Sequence, residues 1–91
     1  MKKSLEAVAR IERYLKDYAC GGKNEEAISK ITEEMYAISR EAGDHTYVRE
    51  RLEYLRGHVS RVFSARSYTD PEKRHAFAEC YKLTRYLEKN W

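Results

Sequence analysis

Glutamine is absent from the chain, proline occurs once (Pro71), and 91 residues hold only four glycines and two cysteines. So few backbone breakers argue against a many-turned β fold and for long, uninterrupted helices. Cys20 and Cys80 form no CxxC pair, which excludes a disulfide-stapled miniprotein and fits a reducing, cytoplasmic setting. No apolar run approaches the roughly 20 residues of a membrane span. The opening MKKSLEAVAR has two lysines but no apolar core of a signal peptide, so we expect neither secretion nor a membrane partner. Asparagine is confined to Asn24 and Asn90, while Tyr, Glu, Lys and Arg are abundant; that balance leans towards a thermophilic source.

What is present fits a single domain over residues 1–91. Charged residues make up 36% and hydrophobic ones 42%, a globular composition with a heavily charged surface. The length lies just above the size at which small folds need staples. The core is therefore thin, and self-association is an expectation alongside a monomer. Net charge is +3, mild for a non-specific nucleic-acid packer. The excess is confined to one half, because residues 1–43 balance and residues 44–91 carry all of it. From Tyr54 to Thr69 there is no acid, while Arg56, Arg61 and Arg66 fall in that run with His58.

Apolar spacing predicts four helices. Leu5, Val8, Ile11, Leu15 and Tyr18 mark the first, about Ser4–Ala19, with Ser4 as N-cap and Gly21-Gly22 as its stop. Ile28, Ile31, Met35, Ile38 and Ala42 mark the second, about Glu25–Ala42, capped by Asn24 and ended by Gly43. Val48, Leu52, Leu55, Val59 and Val62 mark the third, which runs to about Arg66 with Asp44 or Thr46 as cap. Gly57 inside it reads as a tolerated surface glycine costing about 1 kcal/mol relative to alanine. Asp70-Pro71-Glu72 opens the fourth, with Ala76, Cys80, Leu83 and Leu87 as its apolar stripe and Phe77 and Trp91 on the flank. Short connections between four such helices predict an all-α, antiparallel up-down-up-down bundle, or the same helices intertwined in a homodimer. Cys20 and Cys80 then sit roughly 15 Å apart along the bundle, too far for a disulfide.

The third helix carries a second stripe. Tyr47, Arg51, Tyr54, His58 and Arg61 repeat at heptad spacing beside the apolar row. Such side chains can cover the edge of a core, with cations suited to a helix C-terminus. They are also the residue types that dominate binding hot spots, or that stack on bases and neutralise phosphates. On the fourth helix, Lys82, Arg85 and Lys89 with Tyr81 and Tyr86 form a second basic and aromatic strip. If both strips fall on one side of the bundle, the contact reading gains.

Motifs for chemistry are weak. His45, His58 and His75 are scattered without metalloprotease spacing, so no metal site, cofactor or catalytic residue is expected. Gly21-Gly22-Lys23 lacks the strand and the further glycine of a phosphate loop. Ile38–Leu55 has the outline of a helix-turn-helix, but Asp44 stands where an apolar residue belongs and the spacing is short. Arg51 and His58 have the Arg-x4–6-His spacing of HEPN-family nucleases, where the pair converges at a dimer interface. Arg40 and His45 fit too, and with ten arginines and three histidines about one such match arises by chance. In such a nuclease His58 would be the acid–base and Arg51 the phosphate holder.

The expected function is therefore non-enzymatic contact with a macromolecule. The binding residues are Tyr47, Arg51, Tyr54, Arg56, His58, Arg61, Arg66, Lys82 and Arg85. The first expected partner is a protein or a second copy. A nucleic acid on the Tyr54–Tyr68 run and the fourth helix is the alternative, and an RNase using Arg51 and His58 the last.

Overall fold

The computed structural model describes residues 2–17, 25–64 and 70–90. They form α1 (Lys2–Asp17), α2 (Glu25–Ala42), α3 (Thr46–Ser64) and α4 (Asp70–Asn90). The arrangement is the all-α four-helix bundle that the spacing predicts. Each helix packs on its chain neighbours, and α1 closes the ring against α4. The α1/α2 and α3/α4 seams are extensive, whereas the α2/α3 seam is the thinnest of the four. Gly21-Gly22, the Asn24 cap and the C-terminal part of the third helix at Arg66 lie outside the described residues.

The apolar stripes meet in one core. Val8, Ile11 and Leu15 of α1, Ile31 and Ile38 of α2, Val48 and Leu55 of α3, and Ala76, Cys80, Leu83 and Leu87 of α4 are all buried. Leu52, Val59 and Val62 complete the α3 stripe in its predicted register. α2 departs from its pattern, because Ile28 remains 40% exposed and Met35 and Ala42 are only partly covered. Ile28 and Met35 line the thin junction with α3, which does not close over them.

Helix ends differ from expectation in two instructive places. α1 begins at Lys2, so Ser4 is a buried residue of its first turn instead of the N-cap. The cap comes from α2: Glu41 Oε1 accepts from the Ser4 amide at 2.9 Å and from its hydroxyl at 2.6 Å. A carboxylate thus satisfies one of the amides that every helix start leaves unpaired. Between α2 and α3, Gly43 adopts φ +59° and donates to the Ser39 carbonyl at 3.0 Å, the left-handed stop that favours glycine. The residue whose carbonyl opens α3 is His45, which accepts from the Arg49 amide at 3.1 Å. Neither Asp44 nor Thr46 holds that position. α3 continues unbroken through Gly57, where a Cβ would meet only the Arg61 guanidinium at an ordinary 3.5 Å. Packing therefore does not demand glycine there.

Candidate functional site

The second stripe of α3 faces α4, and α4 answers it with one of its own. Glu72, His75, Glu79, Lys82 and Tyr86 repeat at the same heptad spacing, and the two rows meet antiparallel. At one end Tyr47 stacks on Tyr86, 4.3 Å between centroids and 26° between planes. Tyr86 also lies edge-on to His45, with its hydroxyl 2.8 Å from His45 Nε2. One tyrosine so ties the C-terminal half of α4 to the turn that starts α3.

In the middle, Arg51 Nη1 donates to Glu79 Oε2 at 3.3 Å. Both groups are largely withdrawn from water, with side chains 18% and 8% exposed. The guanidinium lies between the rings of Tyr47 and Tyr54, 5.5 and 4.6 Å from their centroids, where the π faces favour a cation. Arg51 Nε is buried without a hydrogen-bond partner, so the ring faces and one long hydrogen bond are what offset the loss of water. Lys82 reaches the other oxygen of Glu79 at 3.5 Å.

At the far end, Arg61 Nε donates to Glu72 Oε2 at 3.0 Å and Arg61 Nη2 donates to His58 Nδ1 at 2.8 Å. The Arg61 hydrogen bond holds the Glu72 carboxyl below its usual range against desolvation, with His58 adding to the effect. Beneath this seam, burial pushes the Cys80 thiol up to about 12, with Glu12 and Glu79 contributing. It is a protonated core side chain without nucleophilic character.

The predicted binding residues therefore separate into groups. Tyr47, Lys82 and Arg85 share a shallow depression with Tyr81, Tyr86 and Lys89. Tyr81 is 62% exposed, and the Arg85 guanidinium lies 6.0 Å from its ring centroid. Tyr54 is exposed but does not line that depression. Arg51, His58 and Arg61 are engaged with α4 acids. Arg56 stands on the opposite flank of α3, paired with Glu53 at 3.2 Å, and joins none of the others. Arg66 lies outside the described residues. The HEPN-type pair is split between different acids, Arg51 to Glu79 and His58 to the Glu72 cluster. Sequence reasoning weighed the cations and rings of α3 and α4 but not the acids that alternate with them on α4. The signal it passed over was the Glu72/Glu79 repeat, which supplies anions opposite the cations, and the Glu72-x-x-His75 spacing that brings a second imidazole to His58.

No family model, curated protein or solved structure significantly matches the chain.

Proposed function

We propose that this is a non-enzymatic binding protein whose α3/α4 face receives an acidic surface of a partner protein. The observation that carries the reading is the depression in which Tyr47, Tyr81 and Tyr86 adjoin Lys82, Arg85 and Lys89. Both basic and aromatic strips contribute to it from one side of the bundle. Tyrosines there offer broad, rigid contact area, and the cations steer and orient an anionic partner. The Glu72 and Glu79 pairs stiffen the platform from beneath, since they hold α3 and α4 in register. Because Arg51 and Arg61 pair with those acids and Lys82 is shared with Glu79, Arg85 and Lys89 lead the cations offered to a partner.

The experiment is fluorescence anisotropy with labelled Asp/Glu-rich peptides, single-stranded RNA and duplex DNA, each at low and moderate salt. Peptide binding should weaken as salt rises and fall about tenfold or more in a Tyr81→Ala, Arg85→Ala variant that keeps its helicity. A preference for the oligonucleotides with a steep salt slope would replace the protein partner by a nucleic acid. Absence of binding to all three at low salt would sink the contact face. Light scattering on the same samples reports whether the acidic surface is that of a second copy.

A further inference from the structure

Glu72 and His75 stand one turn apart on the same face of α4, and α3 brings His58 against them. The imidazoles of His58 and His75 lie 5.2 Å apart between centroids, tilted by 58°. One ligand atom from each of His58, Glu72 and His75 lies within 4.8 Å of the other two, and no other such trio occurs among the described residues. His58 Nδ1 and Glu72 Oε2 are 3.4 Å apart. That matches the edge of a tetrahedron, about 3.4 Å, built on bonds of about 2.1 Å from zinc to imidazole nitrogen or carboxylate oxygen.

We propose that His58, Glu72 and His75 form a three-ligand site for a divalent transition-metal ion of the zinc class, with Arg61 as its internal competitor. The donor set decides the ion class. Two imidazole nitrogens and one carboxylate suit zinc, cobalt, nickel or copper, whereas magnesium and calcium require oxygen-rich shells. Arg61 already bridges two of the three ligand side chains. Arg61 Nη2 lies 2.8 Å from His58 Nδ1, and Glu72 Oε2 lies 3.4 Å from the same nitrogen, so Nδ1 faces the cluster. Arg61 Nε, a different nitrogen of the same guanidinium, donates to Glu72 Oε2 at 3.0 Å. A single cation thus sits against two of the side chains an incoming ion needs.

Arg61 is also able to leave. Its side chain is 55% exposed. His75 is exposed and turns towards the ion without disturbing the core. Three protein ligands leave a fourth position for water or for a donor from outside. The site lies at the opposite end of the α3/α4 face from Tyr81 and Arg85, so it stands independently of the proposed contact surface.

Calorimetric titration of ZnCl2 into the untagged full chain, near neutral pH in a non-chelating buffer, tests it. One ion per chain is expected. His75→Ala should weaken binding at least about tenfold, by loss of a ligand. Arg61→Ala should tighten it about fivefold, the order of one exposed charge contact released. MgCl2 at the same concentration should give no heat. Circular dichroism confirms that both variants, each at an exposed position, retain the helices. Cobalt substituted for zinc should give the visible absorption of a low-coordinate ion, lost in His75→Ala. Absence of zinc binding in both the parent chain and Arg61→Ala overturns the site. So does zinc binding that survives His75→Ala unchanged, because the ion then sits elsewhere.

Discussion

The two seams that α3 makes with its neighbours are built on different principles. Against α4 it presents two stripes, one apolar and one of rings and cations, and α4 returns an apolar stripe and a row containing Glu72 and Glu79. Arg51–Glu79, His58–Glu72 and Arg61–Glu72 all join α3 to α4, and none crosses to α2. Against α2 it presents the flank of Leu52, Val59 and Phe63, and α2 returns Ile28, Met35, Thr32 and Tyr36. The Arg56–Glu53 pair at this edge stays within α3. Cavities of about 240 and 210 Å³ lie along the junction. Apolar stripes alone bring two helices together, but in this bundle the seam that closes is the one where a second, complementary stripe continues the contact outward and fixes the register.

The strongest way to break that contrast is to remove the same kind of bulk from each side. Leu83→Ala, at a fully buried α4 position, should cost about 2–5 kcal/mol in urea unfolding, the range for a buried leucine that leaves a cavity. Met35→Ala, on the partly open α2 side, should cost about 1 kcal/mol, because much of its surface already meets water. Equal losses would mean that the α2/α3 seam is as well packed as the other.

Next in size is the charge buried in the closed seam. Glu79→Ala strands the Arg51 guanidinium beside Tyr47 and Tyr54 and should cost about 2–3 kcal/mol. Adding Arg51→Met should recover most of that loss, since the remaining cost comes from the unpaired cation. The surface pair on the other flank gives the control. Glu53→Ala should change stability by no more than about 0.5 kcal/mol, as expected for exposed partners one turn apart on a helix. A Glu79→Ala variant no less stable than Glu53→Ala would show that the ion pair does not hold the seam.

Most of this fold could be read from spacing. Every apolar position named on α3 and α4 that the structure describes is buried or partly so, because a heptad stripe there meets a matching one. Ile28 was misjudged because its burial depends on how closely α3 approaches α2, a tertiary property that the local period does not contain. The Ser4 cap was misread for a similar reason. Spacing nominates a residue within the same helix, whereas the start of α1 is completed by Glu41, far along the chain. The candidate site was half legible. Tyr47, Arg51, Tyr54, His58 and Arg61 were recognised as one row, yet whether a row of cations faces water or a neighbour depends on the acids opposite. Those acids were present at the same period on α4. Attending to the cations and rings of α4 and not to its acids concealed the pairing, and with it the convergence of His58 with Glu72 and His75.

The smallest expected effect separates the seams by pH. Glu72 in the α3/α4 seam and Glu41 at the start of α1 both have carboxyl groups held below the usual range, by Arg61 and by Ser4 respectively. A carboxyl lowered in the folded chain adds stability that is fully present above its unfolded value. That stability is lost as pH falls through the lower folded value, because the unfolded chain takes up the proton first. Urea midpoints should therefore hold steady from neutral pH down to the ordinary carboxylate range and decline below it. Both groups are reached by solvent, which keeps each contribution modest. Glu72→Gln should lower the plateau slightly and make the acid decline shallower, since the variant has no proton left to take up at that position. Glu41→Gln should do the same through α1, and the two changes should add, because they act at different seams. An acid decline of unchanged steepness in Glu72→Gln would mean that Arg61 gains nothing from its carboxylate, leaving the apolar stripes as the whole of what joins α3 to α4 at that end.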